Sequence, residues 1–357
     1  EYNFLVFVTC ESNRFYVSKY HDITLVNIPA IQGKTTTIPV INDIMATLYL
    51  ILKYRNKINI FYYVAGDGSI SAILARIIGK KVIINPDGIE WKRPVKRAIY
   101  WPLHLKILSL PLMLLHLLFE YLSVHIANVI VCDSQEIKNR LEQVYKTKKA
   151  IYIPYGAREL VSPSTSEEKE VEILSKYNLN SGTYYLTVAR IVAENNLHIE
   201  IEGFKRVNTD KKLVIVGNFN YKDTYTKHLI KLKENNGNIL LLNPIYDKET
   251  LGVLRKNCFA YIHGYEVGGT NPSLLEQMLY GRPILAYDVP FNREVLQEGG
   301  IYFKNEDDLA IKITKLEEGE FNLKLIKKMQ ITRIKMQYNW EKISNDYAHL
   351  FRTVIER

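Results

Sequence analysis

Residues 263–283, HGYEVGGTNPSLLEQMLYGRP, hold residue types able to grip an anion and a diol together. Gly268 and Gly269 remove side chains where a loop turns into a helix, and Thr270 or Asn271 can cap that helix ahead of Pro272. Backbone N–H groups at a helix start point outward and attract negative charge, and glycines let a phosphate approach closely. Glu276 follows about one turn inside the helix, where its carboxylate can accept hydrogen bonds from ligand hydroxyls. Diphosphate on the helix end and a ribose diol on the carboxylate describe a nucleotide sugar. Taken alone, the stretch also reads as a glycine-rich turn beside a solvated glutamate. Glu266 and Glu276 stand ten apart.

Other segments add groups of the same kind. VARIVAENN places Arg190 at a strand end, and arginine suits bidentate contact with phosphate. A surface ion pair between Arg190 and Glu194 is the alternative. NPDGIEWKRP sets Asp87 and Gly88 just after the strand KVIIN, as a site acid or as a plain Asp-Gly turn. AGDGS, residues 65–69, is a further glycine-bearing loop that opens a helix.

These loops need elements to carry them. Short β-branched or aromatic runs alternate with helical patterns, which is the mark of parallel α/β sheets. In the first half the strands are YNFLVFV, ITLVNI, INIFYYV, KVIIN, NVIVCD and AIYIP, with helices over Asn42–Tyr54, Ser69–Ile78 and from Asp133-Ser134 to about Tyr145. The acid-bearing stretch 161–181 reads as a connection. The strands YYLTVA, KLVIVG, NILLLN, CFAYIHG, PILAYD and GIYF then build a second sheet. The expected organisation is an N-terminal Rossmann-like domain over 1–160 and a C-terminal Rossmann-like domain over 182–335. An amphipathic helix over 336–357 has the option of packing back on the first domain. Such domains, facing each other, would gather their strand-end loops around a shared cleft. No GxGxxG follows a strand, which disfavours a nicotinamide dinucleotide. EYNFLVFV reads as a strand already in progress, as though the sequence were incomplete at its start or the first βα unit were absent.

Composition sets the class. At 357 residues, 47% apolar and 24% charged, the chain is folded and globular and suits two domains. Cys10, Cys132 and Cys258 are scattered and odd in number, against both a disulfide framework and a zinc site. The net charge of +9 implies an anionic partner. Lys92, Arg93, Lys96, Arg97 and Lys106 cluster without an acid, interleaved with Tyr100 and Trp101, and Ile107–Phe119 then carries no charge. Thirteen residues are too few to span a bilayer, so the segment reads as an in-plane contact with an anionic membrane surface through Lys92, Arg93, Lys96, Arg97 and Trp101. A buried helix with a solvated basic flank is the alternative. A nucleic-acid surface is disfavoured because the basic stretch runs on into a greasy one.

Together NPDGIEWKR, CDS before a helix, IPYGA, VARIVAENN, KLVIVGN and YIHGYEVGGTNPSLLEQM resemble glycosyltransferase family 4 of the GT-B fold, and within it the rhamnosyltransferase-like branch. They follow the family's order over most of the chain. The resemblance implies retaining transfer of a sugar, rhamnose among the candidates, from a nucleotide sugar to a glycan or lipid-linked acceptor, without metal or other cofactor. The resemblance assigns Asp87, Arg190 and Glu276 to catalysis, and Arg190, Asn195, Gly268, Gly269, Thr270, Asn271, Ser273 and Glu276 to the donor. The basic residues, Trp101 and the Leu-rich run behind them lead to the expectation of a cytoplasmic protein, peripheral on the inner face of the cell membrane. Gly268 stands where the wider family has a first glutamate, and Asn195 where it has a phosphate-binding lysine, as in the branch. The lost lysine and the absent first loop also fit a degenerate subunit that binds glycan or a partner enzyme.

Overall fold

The computed structural model describes residues 4–30, 39–157 and 165–356. Contacts divide it into two units, one of Glu1–Trp91, Leu112–Ile153 and Ser344–Arg357, the other of Lys92–Pro111 and Pro154–Ile343.

In the first unit β1 (Phe7–Ser12), β2 (Tyr16–Tyr20) and β3 (Ile23–Pro29) form one sheet in the order β1-β3-β2, with β1 parallel and β2 antiparallel to β3. The β2–β3 hairpin has the expected strand ITLVNI as one arm, β3, and in β2 a strand that was not expected. It turns on His21 and Asp22, with His21 at φ 51°, the left-handed backbone that a two-residue hairpin demands. β1 lies later than the expected YNFLVFV, whose first residues fall outside the described ones. α1 (Pro39–Tyr54) leads to β4 (Ile60–Val64), α2 (Ser69–Ile77) and β5 (Lys81–Asn85). Next come α3 (Lys92–Ala98), α4 (Leu103–Lys106) and α5 (Ser109–Ile126), then β6 (Val129–Cys132), α6 (Gln135–Tyr145) and β7 (Ala150–Tyr152). β4-β5-β6-β7 is a four-stranded parallel sheet. Ser134 caps α6, as the sequence suggests, by accepting from the N–H groups of Glu136 and Ile137.

The apolar run is longer in space than in the charge pattern. Leu103–Ile126 is a helical stretch of 24 residues with a window of mean hydropathy 1.8, of which 22% is buried, and by length and composition it could cross a membrane. Its last turns nonetheless belong to the first unit. Phe119 and Val124 are core residues, and Glu120 pairs with Arg140 at 2.7 Å and accepts from Tyr145 Oη at 2.7 Å.

The second unit takes α3 and α4 and continues from Pro154; within the stretch 161–181 read as a connection it holds a helix, α7 (Glu167–Ser175). Residues 158–164 lie outside the described ones, but from Ser166, whose side chain caps Lys169 N–H, the acid-rich segment is helical. Glu167, Glu168 and Glu172 are exposed, Glu170 is buried against Lys256 and Asn257, and Ile173 and Leu174 join the core. There follow β8 (Tyr184–Val188), α8 (Leu197–Lys205), β9 (Lys212–Val216), α9 (Thr224–Lys233), β10 (Ile239–Leu242), α10 (Lys248–Asn257), β11 (Ala260–His263), α11 (Pro272–Met278), β12 (Ile284–Tyr287), α12 (Pro290–Leu296), β13 (Ile301–Phe303), α13 (Glu306–Glu317) and α14 (Leu323–Gln337). All six strands are parallel, in the order β10-β9-β8-β11-β12-β13. Core residues cover both faces of the sheet, which is why its strands read as near-continuous apolar runs. The single terminal helix expected over 336–357 is interrupted after Gln337, and α15 (Trp340–Glu356) starts anew. The break seats Tyr338 in the core, where its carbonyl accepts from Ala157 N–H at 2.7 Å.

Candidate active site

Strand order reverses between β8 and β11, and ligands of doubly wound sheets bind at the carboxyl ends of strands flanking such a point. Arg190 follows β8 and the glycine loop follows β11, so the topology brings the expected donor residues to one place. Arg190 is exposed, and its side chain makes no ion pair among the described residues. The two loops are closely fitted. Asn196 Nδ2 donates to Gly264 O at 3.0 Å and Glu266 N–H to Glu194 O at 3.0 Å. A Cβ on Gly264 would lie 2.4 Å from Asn195 O, so only glycine fits there. A Cβ on Gly268, at φ 156°, would meet nothing within 4 Å, so open space lies before the glycine loop.

Asn271, not Thr270, caps α11, with Oδ1 accepting from Ser273 N–H at 2.9 Å. Two expected donor residues face inward. Asn195 is buried and spends its amide on the Arg190 carbonyl at 2.8 Å. Ser273 Oγ accepts from Arg255 Nη2 at 2.8 Å, lies 3.0 Å from Tyr261 Oη and 3.2 Å from Val188 O. Glu276 is partly accessible and sits 3.2 Å from Arg255 Nη2.

Three groups beneath these loops escaped sequence reasoning. Arg255 is buried at the end of α10, its guanidinium 5.3 Å over the Tyr261 ring; in sequence it is one more basic residue in a last helical turn. Glu200 is fully buried, accepts from Gly264 N–H at 3.0 Å and from Thr187 Oγ1, and burial pushes its carboxyl up to about 8. His263 is fully buried between Tyr265 (centroids 4.5 Å, interplanar 6°) and Tyr261 (6.1 Å). Neither of its ring nitrogens has a partner among the described residues, and burial, then Arg255, pulls it down to about 3.

Two residues assigned to membrane contact are engaged within the second unit. Lys96 Nζ lies 2.8 Å from Glu266 Oε2, and Arg97 Nε donates to both Glu194 oxygens at 3.1 Å. The Arg190–Glu194 pair named as the alternative does not form, because Arg97 holds Glu194.

In the first unit Asp87 and Gly88 turn at φ 50° and 96°, with Asp87 N–H donating to Asn85 Oδ1 at 3.0 Å. A small cavity adjoins this turn, lined by Asp67, Glu90, Trp91 and His116 among others. Burial raises the Asp67 carboxyl, against the opposing pull of its backbone hydrogen bonds and His116. Ala65, also in the lining, has φ 76° and ψ 152°, backbone that only glycine adopts without strain.

Residues 171–335 match the family described as glycosyl transferases group 1, and residues 1–158 match a domain of unknown function (DUF1972). Nearly half of the chain is thus similar to the glycosyl transferases group 1. An uncharacterized glycosyltransferase of Methanocaldococcus jannaschii is 28% identical over 64% of this chain, and the match spans 59% of that protein's length. Sucrose-phosphate synthase from Thermosynechococcus elongatus superposes with a TM-score of 0.80 at 15% identity, covering 99% of this chain and 90% of that one. Anabaena HepE in complex with UDP does so with a TM-score of 0.69 at 14% identity, covering 93% and 87%. A second HepE structure contains UDP-glucose (TM-score 0.67, 15% identity, 87% and 82% covered). The architecture is thus that of the GT-B fold, two α/β units whose strands are parallel apart from the antiparallel β2.

Proposed function

We propose that the chain is a retaining glycosyltransferase of family 4, from its rhamnosyltransferase-like branch. It moves a sugar from a nucleotide-sugar donor to a hydroxyl of a glycan or lipid-linked acceptor in surface polysaccharide or glycoprotein-glycan synthesis. The observation that carries this reading is the pair of loops at the strand-order reversal. There an exposed Arg190 follows β8 and a partly accessible Glu276 follows the glycine loop after β11. Arg190 takes the diphosphate, whose negative charge grows as the sugar departs, and Glu276 takes the ribose hydroxyls. No protein nucleophile and no metal enters this scheme, because fixed cations and backbone donors stabilise the charge that develops. HepE was solved with UDP and with UDP-glucose, so uridine nucleotides are the first donors to try.

The acceptor falls to the first unit, where the cavity beside Asp87 offers carboxylates for hydroxyls and the Trp91 ring for a sugar face. The protein works at the cytoplasmic face of the membrane, with α4 and α5 in the interfacial plane. Leu103 (85% exposed), Ile107 (77%), Leu110 and Leu114 form the apolar side, with Lys92 and Lys106 as the basic flank.

The decisive experiment screens the chain against UDP- and dTDP-sugars by thermal shift, then assays donor hydrolysis and transfer with and without a lipid-linked acceptor. A donor that raises the midpoint and is turned over fits the proposal. Binding without turnover favours the degenerate subunit, and no shift with any sugar nucleotide refutes the donor site. Replacing Leu103, Ile107 and Leu114 by Gln should release the protein from anionic vesicles, and undiminished flotation would refute the membrane reading.

A further inference from the structure

Arg190 can meet a diphosphate only if no carboxylate of the chain takes it first. It is the sole basic residue from Ala189 to Asn196, and Glu194 stands four positions on in the same loop. Glu266 stands in the facing loop, two residues before Gly268. The backbone joins the two acids through Glu266 N–H and Glu194 O, and the Asn196 amide reaches Glu266 Oε2 at 3.3 Å. The Glu194 side chain is only 1% exposed, so its charge requires a partner. The cation its own loop offers is Arg190.

Helix α3 removes that competition. Arg97 binds both oxygens of Glu194, Lys96 binds Glu266, and the next turn seats Tyr100 on Tyr225, His228 and His198, with ring centroids 4.7, 5.2 and 5.9 Å away. Thus α3 neutralises the two acids flanking the glycine loop while Arg190 makes no ion pair among the described residues.

We propose that Lys96 and Arg97 are positioning residues for the donor: by holding Glu266 and Glu194 they keep Arg190 available and stop two carboxylates from repelling the diphosphate. The inference rests on the donor site proposed above. Neither residue touches the ligand in this scheme. Their effect passes through the acids they bind, so removing the acid should undo the loss of the base.

The test measures binding of UDP and of inorganic pyrophosphate to the whole chain by calorimetry at low salt, alongside turnover of a sugar nucleotide. Arg97→Gln should weaken both ligands by about tenfold or more, the loss of one charge-assisted contact. Arg97→Lys, which keeps the charge, should stay within about threefold of the unaltered chain. The double variant Arg97→Gln/Glu194→Gln should recover to within about threefold, since no acid is left to compete. A merely structural Arg97 predicts the opposite, with the double variant as weak as the single one. Should Arg97→Gln not fold, Glu194→Gln alone serves: it should bind pyrophosphate at least as tightly as the unaltered chain. Unchanged binding by Arg97→Gln, no recovery in the double variant, or weaker binding by Glu194→Gln overturns the inference. If the binding pattern holds but no sugar is transferred, the transferase reading falls and this one stands. If sugar is transferred and Arg97→Gln binds normally, only this one falls.

Discussion

Replacing His263 by phenylalanine should flatten the acid side of the stability profile. His263 lies fully buried against two tyrosine rings, and its folded-state pKa is pulled from 6.5 to about 3, first by burial and then by Arg255. An unfolded chain takes up a proton below 6.5 that the native state refuses until about 3. Stability from this group is therefore complete at neutral pH and is lost as pH falls through that window. Between pH 7 and pH 5 the loss comes to about 2 kcal/mol. His198, lowered to about 4 mainly by burial, acts in the same sense. Glu200 acts in the other: its folded pKa of about 8 lies above its ordinary 4.5, so its contribution is lost as pH rises between the two. The unaltered protein should thus show a profile made of opposed slopes, and only the difference between variant and parent isolates His263. Urea titrations at pH 5, 6 and 7, read on the transition the substitution moves, give that difference. The His263→Phe variant should change overall stability by an amount set by packing, and relative to the parent it should gain about 2 kcal/mol on going from pH 7 to pH 5. Parallel profiles would refute the reasoning and mean that the imidazole is solvated or hydrogen-bonded.

Glu276→Ala should weaken UDP binding by about 1.5–3 kcal/mol with the fold intact, measured by calorimetry, and an unchanged dissociation constant would remove Glu276 from the site. Arg190→Ala should depress turnover more than donor affinity, because charge on the diphosphate grows in the transition state; affinity lost at constant kcat would leave it a binding residue. Ala65→Gly should raise the unfolding midpoint, since strain of about 1–3 kcal/mol at φ 76° outweighs the smaller entropic cost of glycine, and a lowered midpoint would refute that backbone conformation. Arg255→Met should lower stability by about 3–5 kcal/mol and donor affinity with it, because Glu276 and Ser273 lose a shared buried partner.

Where periodicity is strong and local, sequence and structure agree. The six strands of the second half are apolar runs of four to eight residues between turn signals, and each appears. β2 was hidden because RFYVSKYHD alternates weakly and lies on the surface, so no buried face marks it. α7 was taken for linker because its first turn holds Glu167, Glu168 and Glu170, although Ile173 and Leu174 supply the buried stripe. The glycine loop was legible as a loop, since Gly, Thr, Asn and Pro write their backbone preferences locally. The inward turn of Ser273 was not, because it depends on Arg255, eighteen residues away in sequence.

The charges around Arg190 show where such reading stops. Taken locally, Arg190 and Glu194 form a pair four residues apart, and the loop has no net cation to offer a phosphate. Arg97, ninety-seven positions earlier, takes the acid and so turns a neutral loop into a cationic one. Lys96 does the same for Glu266 from a still greater sequence distance. The same two residues look in sequence like part of an exposed basic patch, where their charge would be spent on lipid. An ion pair satisfies one partner at a time, so assigning Lys96 and Arg97 to the donor loops removes them from the membrane. The proposed membrane attachment would then depend on the exposed leucines of α4 and α5 rather than on those two charges, and it should be only weakly sensitive to salt.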